Sequence, residues 1–162
     1  MSIYIGLGSN IGDRLINIKN AIHEIKCLEY VKLERISSLY HTEPIGVIDQ
    51  DWFYNAVIEV KTEIDPFEML NTLQAIEQKL KKDKQYRWGP RRIDLDLLDF
   101  KNLIVHSDRL ILPHPLMSSR KFVLVPLSEV APCYVHPVLS VTVWNMLRHC
   151  PDSQVIRIRE KL

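Results

Sequence analysis

The hydrophobic residues follow two different spacings along the chain, and these predict alternating strands and helices. Ile3, Ile5 and Leu7 alternate with other residues at the two-residue spacing of a half-buried strand. Apolar residues then recur every three or four positions, which predicts a helix over residues 13–28. Alternation returns over residues 31–40 and predicts a second strand.

The next elements complete a recognisable order. After a loop, a third strand is expected over residues 53–61. Asp65 and Pro66 are typical of the start of a helix, which should end near residues 81–82, and a fourth strand covers residues 93–100. The resulting βαββαβ order is ferredoxin-like. It predicts an α+β fold with a mainly antiparallel sheet and helices on one face.

The last third of the chain gives a weaker pattern. Frequent prolines allow only short elements, with a last helix over residues 141–148 and a closing strand over residues 155–159. We therefore expect an irregular C-terminal extension of the ferredoxin-like core. A length of 162 residues, without internal repeats, predicts a single domain over residues 1–162.

Composition excludes several broad classes of protein. Apolar residues make up 46% and charged residues 25%, as in an ordinary globular protein, and the net charge of +1 gives no overall attraction to nucleic acid or anionic membranes. No apolar run approaches the roughly 20 residues of a membrane span, and the N-terminus does not resemble a signal peptide. The three widely spaced cysteines favour reduced thiols and a cytoplasmic location.

The fourth strand carries the first candidate chemistry. Residues two apart on a strand share a face, so Asp94 and Asp96 should project together while Ile93, Leu95 and Leu97 face the core. Adjacent carboxylates repel unless a cation lies between them, and magnesium typically binds one or two carboxylates together with substrate phosphates. A pair of solvated surface acids explains the same pattern when it is taken alone.

A basic loop directly before this strand strengthens the metal interpretation. The segment KKDKQYRWGPRR places phosphate-binding residues beside the carboxylates, as phosphoryl-type transfer requires. Arg91 can bind phosphate oxygens through two parallel hydrogen bonds. Lys81, Lys82 and Lys84 have a simpler explanation, because cations are favoured at the C-terminus of the preceding helix.

Other candidates have equally plausible structural roles. Phe53, Trp88 and Phe122 are core residues by default, but two of them could stack on a flat heterocycle if they border a cleft. Asn55 shares a strand face with Phe53 and could hydrogen-bond the edge of that ring. His114 lies between two prolines in a rigid loop, where a phosphate contact and an ordinary histidine remain alternatives.

The motifs together resemble a known family. In order, YIGLGSNIGDR, TEP, FYNAV, RWGPRRIDLDLLDF, LPHP and SRKFVLVPL are similar to segments of 6-hydroxymethyl-7,8-dihydropterin pyrophosphokinases of folate biosynthesis, over nearly the whole chain. The resemblance implies transfer of pyrophosphate from ATP, the co-substrate, to the hydroxymethyl oxygen of the pterin, with release of AMP. The partners would be these two small molecules, possible other folate-pathway enzymes, and neither nucleic acid nor membrane.

The resemblance also implies site residues. Two Mg²⁺ ions would lie between the ATP phosphates and the metal ligands Asp94 and Asp96. Catalytic positions would be Asp94, Asp96, Arg91 and Lys82. Pterin-binding positions would be Thr42, Pro44, Ile45, Phe53, Asn55, Trp88 and Phe122. ATP-binding positions would be Gln74, Glu77, Trp88, Arg91, Leu97, Arg109, Ile111, His114 and Arg120.

Two departures from the family pattern and two rival functions stay open. Phe53 stands where relatives can carry tyrosine. Lys81, Lys82 and Lys84 stand where relatives carry arginines, and lysine cannot form the two parallel hydrogen bonds that arginine can form with a phosphate.

Two other functions are the alternatives. One is a ferredoxin-like RNA-binding module, and the other is a domain that binds ATP as a sensor and catalyses no reaction.

Overall fold

The structure is a computed structural model that describes residues 1–44, 50–80, 92–150, 155–158 and 162. Its main feature is an antiparallel sheet with the order β5-β1-β4-β3-β8, to which β2 adds by pairing with β4. The strands of this sheet are β1 (Ile3–Ser9), β2 (Val31–Ile36), β3 (Leu39–Thr42), β4 (Phe53–Thr62), β5 (Asp94–Phe100) and β8 (Val155–Ile158). A separate hairpin consists of β6 (Val105–His106) and β7 (Ile111–Leu112).

Two helices cover one face of the sheet, as predicted. Helix α1 (Arg14–Lys26) begins where the Asp13 carboxylate accepts the Ile16 N–H at 3.0 Å. Helix α2 (Pro66–Lys79) begins at Asp65, whose carboxylate accepts two backbone N–H groups, and has Pro66 at its first position. Such caps satisfy N–H groups that have no partner within the helix. The apolar sides of both helices meet the buried side chains of β1 and β5 in the main core.

The opposite face carries two more helices, α3 (Lys121–Val130) and α4 (Val143–His149). Their apolar residues form a second core with Val57 and Leu98 of the sheet. The α+β class, the antiparallel sheet and the placement of the two core helices, α1 and α2, on one face are confirmed; α3 and α4 belong to the C-terminal extension. The C-terminal third is also less irregular than expected, because α3 forms despite Pro126 within it.

The predicted second strand is in fact two strands, β2 and β3. Ser37 separates them: its N–H donates to the Val57 carbonyl at 2.9 Å and its hydroxyl accepts the Val57 N–H at 3.0 Å. Both strands pair with β4, so the long β4 remains paired on both sides. Within the described ranges, no helix combines the length and apolar character needed to cross a bilayer.

A buried carboxylate in the second core gives a prediction about stability. Asp99 has no solvent-exposed surface and accepts hydrogen bonds from the Tyr134 hydroxyl at 3.0 Å and the Asn102 N–H at 2.9 Å. Burial raises the pKa of Asp99, and the two hydrogen bonds only partly oppose this. The native state therefore keeps the proton to a higher pH than the unfolded chain does. As pH rises above about 4, the ordinary pKa of aspartate, this group lowers the free energy of unfolding.

We expect Asp99→Asn to raise the melting temperature at pH 7 by a few degrees, because asparagine can keep both contacts without a buried charge. The gain should shrink as pH falls toward 4, where the wild-type carboxylate is protonated. Thermal melts from pH 4 to pH 8 test this, with the exposed Asp108→Asn as the control. A variant that melts below wild type throughout this range would contradict the assignment.

Candidate active site

A cavity of about 730 Å³ opens on the sheet face that carries α3. Strands β1, β3, β4 and β5 form its floor and one wall, and the segment from His114 to Val123 forms the other wall. Glu43 and Gln50 also line the cavity. It brings together residues that are far apart in sequence, and its two ends differ in chemistry.

One end of the cavity is acidic. Asp94 and Asp96 line it from β5, while Leu95 and Leu97 are buried on the opposite face in the main core, as the strand spacing predicted. The Cα atoms of the two aspartates are about 6.6 Å apart at the usual rise of a strand. Their partners on β1 are Gly8 and Gly6, respectively. Because glycine has no side chain, neither of these β1 residues places a side chain beside the carboxylates.

The donor set at this end suits a hard divalent cation. In the part of the chain that the structure describes, no group of three or more histidine, cysteine, aspartate or glutamate side chains is placed to hold a metal. Asp94 and Asp96 would therefore supply carboxylate oxygens, and the other ligands would be water or oxygens of a bound molecule. Magnesium usually binds in this way, through few carboxylates plus substrate phosphates.

His114 and Arg120 border the acidic end. The backbone N–H of His114 donates to the Leu98 carbonyl at 2.8 Å, and the Nδ1 atom of the His114 ring accepts the backbone N–H of Leu116 at 3.2 Å. Burial lowers the pKa of His114, the charges of Asp96 and Asp94 oppose this, and the charge of Arg120 reinforces it. A neutral ring whose Nδ1 accepts a hydrogen bond carries its proton on Nε2. His114 can then donate from Nε2 without bringing a positive charge.

The other end of the cavity is aromatic. Phe53 on β4 and Phe122 on α3 are both half-buried and both line the cavity. The Arg120 guanidinium lies 5.5 Å from the centroid of the Phe122 ring. Deeper in, the Asn55 Nδ2 donates to the Thr42 Oγ1 at 2.6 Å, and both residues are buried. This end can accept a flat ring and offer hydrogen bonds to its edge.

Eight of the predicted site residues therefore lie together in one cavity: Thr42, Phe53, Asn55, Asp94, Asp96, His114, Arg120 and Phe122. Four others fall outside the described residues: Ile45, Lys82, Trp88 and Arg91. The roles assigned to these four stay predictions.

The remaining predicted residues are described but do not line the cavity: Pro44, Gln74, Glu77, Leu97, Arg109 and Ile111. Gln74 and Ile111 are exposed, and the Arg109 guanidinium donates to the Asn71 Oδ1 at 2.8 Å. Glu77 is buried and accepts the Leu95 N–H at 2.7 Å. The Leu97 side chain is in the core, so only its backbone is available to a ligand. No contact of this structure assigns these residues to ATP, and the role stays a prediction.

Sequence reasoning missed part of the cavity. Gly6 and Gly8 form the floor, and Gln50, whose Oε1 accepts the Asn10 Nδ2–H at 3.1 Å, also lines the cavity. The signal for the glycines was present, since GLG puts two residues without side chains on one face of the first strand. The sequence does not show that this face of the first strand lies beside Asp94 and Asp96.

Comparison with known proteins identifies the family. The model of the 7,8-dihydro-6-hydroxymethylpterin-pyrophosphokinase (HPPK) family matches residues 4–132, which include both aspartates and both phenylalanines of the cavity. The chain belongs to the HPPK family. HPPK enzymes are named for pyrophosphate transfer to a hydroxymethyl dihydropterin, and this chain is accordingly a pyrophosphokinase.

Individual HPPK relatives cover the chain closely. The 2-amino-4-hydroxy-6-hydroxymethyldihydropteridine pyrophosphokinase of Bacillus subtilis (strain 168) is 44% identical over 127 residues, which are 78% of this chain and 76% of that protein. The enzyme of the same name from Haemophilus influenzae is 35% identical over 158 residues, 98% of both chains.

A solved structure supports the HPPK fold. The wild-type Plasmodium falciparum HPPK-DHPS aligns with a TM-score of 0.72 at 18% identity, over 91% of this chain. The chain spans only 44% of that larger protein. At this level of identity the likeness concerns the fold alone, and it agrees with the antiparallel sheet and helices described above.

Proposed function

We propose that this HPPK uses ATP as its donor and Mg²⁺ as its cofactor, and transfers pyrophosphate to the hydroxymethyl oxygen of 6-hydroxymethyl-7,8-dihydropterin, releasing AMP in folate biosynthesis. One observation carries the proposal. A single cavity has a carboxylate pair at one end and a pair of phenylalanines with buried hydrogen-bonding groups at the other. These two ends match a metal-bound polyphosphate and a flat, polar-edged heterocycle.

The aromatic end supports binding of the pterin. A ring stacked on aromatic side chains gains about 1–3 kcal/mol per contact, as measured for nucleic-acid bases. Phe53 and Phe122 approach from different elements, β4 and α3, so a ring between them would be held on both faces. Asn55 and Thr42 would hydrogen-bond its edge and select a heterocycle that has the matching donors and acceptors.

The acidic end supports binding of the ATP phosphates. Asp94 and Asp96 would hold Mg²⁺, which supplies neutralisation of phosphate charge and orientation of the reacting oxygens when it is bound. Arg120 brings a guanidinium that can form two parallel hydrogen bonds with phosphate oxygens, and a neutral His114 would donate to them from Nε2. Donors fixed in this way do not have to reorganise as negative charge shifts during the reaction.

The transfer itself exchanges two P–O bonds. The hydroxymethyl oxygen forms a bond to the β-phosphorus, and the bond from that phosphorus to the oxygen bridging it to the α-phosphorus breaks. The bridging oxygen and its electron pair leave with AMP, and the hydroxyl proton is released. Phe53, Phe122 and Asn55 would hold the pterin in place. Arg120 and His114 would hold the ATP phosphates, so that the attacking oxygen, the β-phosphorus and the leaving oxygen are in line.

The setting proposed for this reaction is the cytoplasm, with ATP and the pterin as the small-molecule partners. The name of the Plasmodium falciparum protein joins HPPK to DHPS in one chain, which supports a link to other folate-pathway enzymes. A near-neutral net charge and two aspartates on the open face of the sheet disfavour the RNA-binding alternative, since both would weaken attraction to a phosphate backbone.

An AMP-release assay tests the proposal. The purified chain is incubated with ATP, MgCl₂ and the pterin alcohol, and each component is omitted in turn. We expect AMP and diphosphorylated pterin in equal amounts only when all three are present, and none when EDTA replaces magnesium. ADP as the product would contradict pyrophosphate transfer. An ATP-dependent rise in melting temperature without AMP formation would favour the ATP-sensing alternative.

A further inference from the structure

We propose that Gly8 is a positioning residue for the pterin: its lack of a side chain lets the Asn55 carboxamide lie across β1 in the orientation that recognises the ring. The inference rests on the proposed function and adds a specificity element to the same site. Gly8 pairs with Asn55 on β4 and with Asp94 on β5, so it lies where the aromatic and acidic ends of the cavity meet.

The space above Gly8 is already taken by Asn55. A Cβ atom built on Gly8 would lie 2.9 Å from the Asn55 Oδ1, closer than a methyl carbon and an oxygen can pack. Neither Gly6 nor Gly8 has a positive φ, so alanine fits the backbone at both positions and only the contact with Asn55 opposes it at Gly8.

The carboxamide cannot easily give way. Asn55 is 6% exposed, and its Nδ2 donates to the Thr42 Oγ1 at 2.6 Å. Its backbone lies in a strand that is paired with Gly8 on one side and Tyr40 on the other. A methyl group at position 8 would therefore rotate the carboxamide and stretch or break its bond to Thr42, since the strand itself is fixed.

Rotation would disturb recognition of the substrate. With Nδ2 bound to Thr42, the carboxamide turns its oxygen over Gly8, and the Thr42 hydroxyl, which accepts from Asn55, keeps its own proton to donate. Asn55 and Thr42 thus form a fixed pair of acceptor and donor for the alternating N–H groups and acceptors at the edge of an aminopyrimidinone ring. A buried site of this kind rejects rings whose polar groups it cannot pair.

Gly6 provides a matched control. It lies on the same face of β1, two residues earlier, and lines the same cavity. A Cβ atom at Gly6 would have Leu98 as its nearest described neighbour, at 3.5–3.6 Å, which is ordinary van der Waals contact. Gly6→Ala therefore adds the same methyl group to the floor without moving Asn55.

The test compares wild type, Gly8→Ala, Gly6→Ala, Asn55→Ala and the Gly8→Ala/Asn55→Ala double variant, each as the full chain. We expect Gly8→Ala to raise the KM for the pterin about tenfold or more and to change the KM for ATP less than about twofold. Gly6→Ala should leave the pterin KM within about twofold of wild type. In the Asn55→Ala background, Gly8→Ala should have no further effect on that KM, because the contact it disrupts is already absent.

Three results would overturn the proposal: an unchanged pterin KM in Gly8→Ala, an equal rise in Gly6→Ala, or effects of Gly8→Ala and Asn55→Ala that multiply. If Gly8→Ala does not fold, its melting temperature should be restored in the double variant, where the shorter side chain removes the clash. Failure of that restoration would also overturn it.

Calorimetric titration with the pterin alcohol, without ATP, separates this inference from the proposed function. If the wild type binds the pterin but produces no AMP, pyrophosphate transfer fails while a weaker Kd in Gly8→Ala still supports the role of Gly8. If the wild type does not bind the pterin, the role of Gly8 is overturned as well.

Discussion

Replacing Asp96 with alanine is expected to lower kcat by about a thousandfold or more while leaving the melting temperature at or slightly above that of wild type. The two parts of this result have separate causes. Asp96 lies on the cavity side of β5, where it would hold the metal that neutralises the ATP phosphates. Its removal leaves the buried Leu95 and Leu97 in place and relieves the repulsion between two neighbouring carboxylates.

The role of Asp96 can be measured without turnover. Magnesium with a non-hydrolysable ATP analogue should raise the melting temperature of the wild type, because a ligand that binds only the folded state stabilises it. The same additions should give a much smaller rise in Asp96→Ala and in the isosteric Asp96→Asn. Asp108→Asn, which neutralises an exposed carboxylate outside the cavity, should behave as wild type. Retained turnover in Asp96→Ala would refute the assignment of Asp96 as a metal ligand.

The parts of the fold that the sequence predicts well depend on local signals. The alternation in β1 and the cap at Asp65 involve residues within a few positions of each other, and both appear in the structure as expected. Asp94 and Asp96 share a face for the same reason, because the pleat of one strand decides it. These features need no knowledge of what packs against them.

The failures involve contacts between distant parts of the chain. Helix α3 was not predicted because Pro126 counts against a helix interior, yet most of its residues are buried against the sheet, and that packing outweighs the local penalty. The division between β2 and β3 depends on Ser37 bonding to Val57, twenty residues away in sequence. Neither feature leaves a clear periodicity in the sequence.

The candidate site also combines features that local sequence signals predict with features that depend on contacts between distant residues. Eight of the residues predicted from strand geometry and the family resemblance line one cavity. The glycine floor emerged only from strand register, in which Gly6 pairs with Asp96 and Gly8 with Asp94. A glycine has no functional group and contributes only the volume that a side chain would have filled. Which residues occupy that volume depends on the packing around it. For this reason the proposed role of Gly8 in specificity follows only from the position of Asn55, whose carboxamide lies over it.

Arg120 is the second residue whose loss should be severe. Its guanidinium borders both ends of the cavity, because it lines the wall beside His114 and also lies 5.5 Å from the Phe122 ring. A guanidinium that pairs with phosphate oxygens gains charge-assisted hydrogen bonds, which are about twice as strong as neutral ones. We expect Arg120→Ala to lower kcat/KM for ATP about 100- to 1,000-fold, with the fold intact.

Arg120→Lys separates the charge of this group from its shape. Lysine keeps the positive charge but lacks the planar fork and stacks less well on an aromatic ring, so it should recover only part of the lost activity. Steady-state kinetics with ATP varied at saturating pterin measure this, and Arg148→Ala, on the exposed side of α4, is the control. If the Arg120 guanidinium binds the phosphates more tightly in the transition state than in the ground state, Arg120→Ala will lower kcat by a larger factor than it raises the KM for ATP. Full activity in Arg120→Lys would show that a point charge is enough, and full activity in Arg120→Ala would remove Arg120 from the phosphate site.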